Sequence, residues 1–180
     1  MTASTIKLNA SPEDHRIARM AALAIGLTLM EAALPSPLPG VKPGLANIVT
    51  LLVLKQQGMR TAAWVSALRV VAGSLLLGSF LTPGFFLSAG GAMASLAVLW
   101  LVQRLPEQLF GAVSLSILAA FAHIAGQMAI VYFWLIPTSG VLYLTPVFAA
   151  AALVFGLVNG LIAAHLLTTP LPATVSEEPA

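Results

Sequence analysis

The chain has 180 residues, of which 59% are hydrophobic and only 8% charged, with a formal net charge of +2 and no cysteine. A soluble domain carries roughly 25% charged residues, so apolar surface on this scale has to meet lipid. The scattered basic residues form no nucleic-acid footprint, and the lack of Cys excludes disulfides, thiolate metal sites and Cys nucleophiles.

Residues 1–10 read as a disordered start. Ser11-Pro12-Glu13-Asp14 then opens a helix: Ser11 suits the cap, Pro12 the first helical position, and the two acids the positive helix end. This first helix is expected to run to about Leu34, with Arg16 and Arg19 at its entry. It is read as a membrane helix and not a cleaved signal, because no small-x-small cleavage site follows it. The Pro-rich stretch 35–43 breaks it. The second apolar run, Gly44 to Gln57, covers only about 20 Å against the ~30 Å of a bilayer core. The Pro/Gly segment before it is therefore expected to dip to membrane depth, where irregular backbone has to be buried in protein or line a wet cavity.

A third helix is predicted over Arg60–Leu81, turned by Thr82-Pro83-Gly84, and a fourth over Phe85–Arg104. A fifth segment, 107–137, is longer than a span needs and is expected to tilt, lie at the interface or bend at Gly126. The sixth helix is expected to start at Thr145-Pro146 and end near Leu167, leaving a polar tail from 169 to 180. The prediction is thus an all-α membrane bundle of six transmembrane helices over 11–168. Arg16, Arg19, Lys55, Arg60 and Arg104 fall on one side and Lys42 on the other, which puts both ends in the cytoplasm. Trp134 and Tyr143 then mark the outer interface, Trp64 and Trp100 the inner one. The expected location is the bacterial inner membrane, crossed several times.

No Walker A, GxSxG or HExxH pattern is present. Asp14 is the only aspartate, so no Asp-rich motif for magnesium diphosphate exists, and three scattered His make no metal site. No catalytic residue, cofactor or metal is expected. The chemistry lies in polar groups inside apolar helices, which are costly there. Arg69 sits about 13 Å into its helix, too deep to snorkel comfortably. It needs an anion, supplied either by Glu31 in a structural pair or by a ligand. Lys42 precedes the short second helix, whose free amides also favour an anion. Asn47 lies one turn inside that helix. Gly90 and Gly91 follow Ser88 in helix four and fit a close approach of backbone or ligand, or plain tight packing. His123 and Gln127 are four residues apart and share one face. These residues predict a polar cavity toward the outer face. Ala18, Ala22 and Gly26 form a small-residue face on helix one, fit for a partner helix or for packing within the bundle. Gly156, Gly160 and Ala164 form a similar face on helix six.

The stretch Glu31-Ala-Ala-Leu-Pro-Ser-Pro-Leu-Pro-Gly-Val-Lys-Pro-Gly-Leu-Ala-Asn47, then Arg69, Leu87-Ser-Ala-Gly-Gly-Ala-Met-Ala-Ser95 and Ala122-His-Ile-Ala-Gly-Gln127, resembles the Gx transporter family. That family is also labelled heptaprenyl diphosphate synthase component I. The resemblance covers about residues 17–168; Pro43 departs from the pattern, where a Leu or similar residue is expected. The family is similar in layout to the S-components of energy-coupling-factor transporters. The resemblance implies a ligand pocket near the outer face, a lid after helix one and a partner face on helix one. The expected function is uptake of a small vitamin-like or cofactor-precursor molecule, anionic, flavin-like or isoprenoid-linked. A separate energising module would be needed, since the chain encodes no ATPase. The alternative is a non-catalytic membrane subunit of a polyprenyl diphosphate synthase that anchors the enzyme or takes its lipid product. A third reading is a membrane scaffold with no substrate of its own.

Overall fold

The computed structural model describes residues 10–35, 43–105 and 110–169, and these contain α-helices and no strand. The helices are α1 (Pro12–Ala33), α2 (Ala46–Gln57), α3 (Met59–Leu76), α4 (Pro83–Val102), α5 (Ala112–Ile130) and α6 (Thr145–Thr168). The predicted stretches 1–9, 36–42, 106–109 and 170–180 lie outside the described residues.

Local chemistry explains the helix ends. Ser11 and Asp14 cap α1 reciprocally: the Asp14 amide donates to the Ser11 hydroxyl at 3.2 Å, and the Ser11 amide to the Asp14 carboxylate at 2.8 Å. Two otherwise unpaired donors are met this way. The third helix stops five residues before its predicted end. Gly78 adopts a left-handed backbone (φ +65°), and the amides of Leu77, Gly78 and Ser79 fold back onto Gly73, Leu75 and Ser74. That closes the helix as glycine after a helix end commonly does. The fifth segment, expected to tilt, lie at the interface or bend at Gly126, is helical on both sides of that glycine. The α5 helix continues through Gly126 to Ile130, and the irregularity comes later, as a π-helical turn over Val131–Leu135 with Ile136 N–H donating to the Val131 carbonyl at 2.8 Å. A 3-10 turn, Ser139–Leu144, leads into α6.

The α4 helix and the stretches Ala112–Leu135 and Ser139–Thr168 are long and apolar enough to cross a membrane, and at most 22% of each is buried in protein. Large apolar side chains such as Met93, Phe133 and Leu161 point outward. A helix that is apolar and uncovered is solvated by lipid, so the chain is a membrane protein. The α1 and α3 helices have 22 and 18 residues but carry charges, among them Arg16 and Arg19, and Arg60 and Arg69.

The α2 helix is the hub. Seven of its 12 residues are buried, from Ala46 to Leu54, and α1, α3, α5 and α6 pack around it. A short helix that is apolar on all sides belongs in a core. Its residues Ile48, Val49, Leu51, Val53 and Leu54 join Ala24, Val65, Leu99, Leu115 and Ala163 in the main apolar cluster. At 12 residues it is about 18 Å long, shorter than a bilayer core.

The long helices touch through glycines. A Cβ on Gly126 would lie 2.6 Å from the Gly90 carbonyl oxygen and 2.7 Å from the Ala94 Cβ. On α6, a Cβ at Gly160 would lie 2.7 Å from the Val113 Cα, and one at Gly156 would lie 3.0 Å from the Ile117 Cα. The Gly156/Gly160 face therefore packs α6 on α5, inside the bundle.

Candidate functional site

Seven polar side chains from five helices surround one cavity. They are Asn47 and Thr50 from α2, Ser66 and Arg69 from α3, Ser95 from α4, Ser116 from α5 and Asn159 from α6. Leu51, Leu96 and Leu99 supply its apolar wall. The space enclosed is about 20 Å³, room for roughly one water.

Arg69 is the only charged group in that lining. It is 9% exposed, and its Nε has no hydrogen-bond partner among the described residues. A guanidinium presents five donors in a planar fork. Leaving one of them unmet and buried is costly.

The start of α2 is held from two sides. Glu31, buried near the end of α1, accepts a hydrogen bond from the Leu45 amide just before α2. Glu31 also lies within electrostatic reach of Arg69. From the other side, the Asn159 amide donates to the carbonyls of Pro43 at 2.9 Å and Gly44 at 3.2 Å. Gly44 takes a left-handed backbone there (φ +71°), with the Asn47 side chain 3.0 Å from where a Cβ would sit. Another residue would be strained at this turn. Asn159 lies roughly 13 Å along α6 from its carboxyl end, so α2 begins inside the bundle and not at its rim. Replacing Asn159 with Ala removes both bonds to the turn. The expected loss is about 1–3 kcal/mol, read as a lower unfolding midpoint in detergent.

The His123–Gln127 pair is one turn from the cavity. The Gln127 side-chain nitrogen lies 3.2 Å from His123 Nε2. With the amide donating, the ring proton sits on Nδ1, and Nδ1 is buried without a partner among the described residues. Gly91 gives the ring its place: a Cβ there would be 2.6 Å from His123 Nε2. Gly90 meets Ile130 and the Gly126 carbonyl, so it serves helix contact and not the cavity.

Of the predicted site residues, Asn47 and Arg69 line the cavity, Glu31 holds the α2 start, and Gly91, His123 and Gln127 form the adjoining cluster. Ser88 is exposed on α4, away from the cavity, and Lys42 lies outside the described residues. Thr50, Ser66, Ser95, Ser116 and Asn159 are cavity residues absent from the predicted site. For Asn159 a signal existed, since an amide in the apolar run Val154–Ala164 demands a partner. Ala18, Ala22 and Gly26 are exposed, and a Cβ on Gly26 would meet nothing within 4 Å, so no other helix of the described bundle covers that face.

A family model described as heptaprenyl diphosphate synthase component I matches residues 20–166. The chain belongs to that family. The matched stretch takes in nearly all of the six helices and every residue of the cavity. No curated protein matches the chain, and neither does any solved structure.

Proposed function

We propose that this chain is a membrane-embedded binding protein that takes up a small molecule by an anionic or strongly polar head group, with Arg69 as the anchor. The observation that carries the reading is the buried guanidinium, partly unpartnered, at the meeting point of five helices and the amino end of a half-length helix. Half-helix ends inside a bundle and buried charges are the features by which membrane proteins hold polar cargo.

The proposed topology has six spans with both ends in the cytoplasm and places the protein in the cell membrane. The distribution of Arg and Lys supports it, as does the separation of aromatics: Arg104 stacks 3.6 Å over Trp100 at one end of α4, while Trp134 meets Phe86 at the other. The cavity at about 20 Å³ admits one water or a single ligand atom group. A larger head group requires the helices to part. The α2 start, held by Glu31 and Asn159, is the piece placed to move. Uptake would draw on a separate energising module. The test is mass-spectrometric identification of what co-purifies with the wild-type protein. A recurrent anionic or polar small molecule is expected, and finding bulk lipid alone would count against the reading.

The family description favours a second reading, in which the chain is a non-catalytic membrane component of a heptaprenyl diphosphate synthase. Asp14 is the only aspartate, which supports a non-catalytic role. The cargo at Arg69 would then be a prenyl diphosphate delivered by a partner subunit. Stable co-purification with a prenyl synthase, and altered product length without this chain, would select that reading over uptake.

A further inference from the structure

We propose that His123 is a second ligand contact beyond Arg69, so that the cargo carries an anionic end for Arg69 and, behind it, a neutral hydrogen-bond acceptor for His123 Nδ1. The inference rests on the reading of Arg69 as the anchor.

Among the described residues, two buried side-chain polar atoms have no hydrogen-bond partner: Arg69 Nε and His123 Nδ1. Buried polar atoms are paired in the large majority of cases, so two orphans in one region call for a common partner. They belong to one region. Ala119 and Ala120 of α5 line the cavity with Arg69, and His123 is one turn further along that face. The Arg69 charge reaches the imidazole. On α4, Gly91 precedes Ala92 of the cavity lining and lies against the ring. The His123 layer thus stands between the cavity and the end of the bundle where Phe86 meets Trp134. In the proposed topology that end faces outward, and a cargo entering from there reaches His123 before Arg69.

The ring is held in place with its donor unspent. Gln127 lies 3.2 Å from Nε2, and the missing side chain of Gly91 leaves the ring its room on α4. With the Gln127 amide donating, Nε2 is the acceptor, the imidazole is neutral and Nδ1 carries the proton. A donor fixed before the ligand arrives loses little freedom on binding. The two donors suit different acceptors. The guanidinium is charged and matches an anion. One neutral N–H does not compensate a second charge in a bilayer interior, so its partner is uncharged, a carbonyl oxygen or an unprotonated ring nitrogen.

The experiment uses the full chain in lipid nanodiscs, with isotope-labelled arginine and histidine side-chain nitrogens read by NMR. His15 in the first turn of α1 and His165 in the last turn of α6 serve as internal references. The probes are acetate, a bare anion, and N-acetylglycine, N-acetyl-β-alanine and N-acetyl-γ-aminobutyrate, which carry a carbonyl at increasing distance behind the carboxylate. Acetate is expected to move the Arg69 Nε signal alone. At least one of the longer acids is expected to move His123 Nδ1 as well and to bind roughly five- to tenfold more tightly than acetate, the worth of one added hydrogen bond. His123→Leu is expected to bind acetate and the longer acids equally well. His123→Asn, whose amide puts an N–H close to the Nδ1 position, is expected to recover part of the preference. No preference over acetate in wild type, a preference that survives in His123→Leu, or a free chain with the His123 proton on Nε2 overturns the proposal. If His123→Leu does not fold, the wild-type signals decide: a His123 Nδ1 that no probe moves overturns it. An Arg69 signal that responds while His123 does not leaves the anchor reading standing and fells this proposal alone. An Arg69 signal that no probe moves fells both.

Discussion

Arg69→Met is expected to abolish ligand capture while leaving the fold as stable as wild type or more so. An anion held by a guanidinium accepts charge-assisted hydrogen bonds worth about 1.5–3 kcal/mol each, so losing one or two weakens binding by roughly 10- to 100-fold or more. Stability is expected to hold or rise, because the change also removes a buried guanidinium Nε that has no hydrogen-bond partner among the described residues, while Glu31 keeps the Leu45 amide. Replacing a buried ionic group by an apolar side chain of similar volume is often neutral or stabilising. A structural Glu31–Arg69 pair predicts the reverse, since breaking it strands a buried carboxylate. Binding of the co-purified molecule and the unfolding midpoint in detergent, measured on the same variant, separate the two roles. Arg69→Lys keeps the charge but not the planar fork, and is expected to recover only part of the affinity.

Gly126→Val is expected to be the most destabilising single change in the bundle. Its Cβ would meet the Gly90 carbonyl oxygen at 2.6 Å, and backbone cannot step aside as a flexible side chain can. The α4 and α5 helices would have to separate, at a cost of about 1–3 kcal/mol or more. His123 and Gly91 meet across the same seam, so the histidine cluster is displaced too. Gly26→Val is the matched control: nothing lies within 4 Å of its Cβ position, and little change in stability is expected. Melting both variants in detergent tests the pair. Equal losses would mean that the α4–α5 approach is looser than this structure has it.

The helices were readable from the sequence where local chemistry alone sets them. Ser11 caps α1 and Thr145-Pro146 opens α6 as predicted, whereas Pro83, read as part of a turn, opens α4 two residues before its expected start. The end of α3 was not, because an apolar run continues past Gly78 and only the backbone reveals the left-handed turn. In the site, Arg69 and Asn47 stood out because a charge or an amide in an apolar run is expensive wherever it points. Ser66, Thr50 and Ser116 did not. A hydroxyl in a membrane helix can satisfy itself on its own backbone, as Thr50 does on the Ala46 carbonyl, so its presence says nothing about a cavity. Ser88 shows the converse. Spacing puts it on the same face of α4 as Gly91 and Ser95, yet it is exposed where they are buried.

The grip of Asn159 on Pro43 and Gly44 ties residues 116 and 115 positions apart. A ribosome delivers the chain in order, so α2 is made long before the helix that secures it exists. Until α5 and α6 follow, two of the walls around α2 are missing, and the turn at Gly44 has no amide to hold it. The pocket is thus the last thing the chain makes. A version stopped before α6 would leave the cavity open and the Gly44 turn unheld, and would be a natural target for quality-control proteolysis.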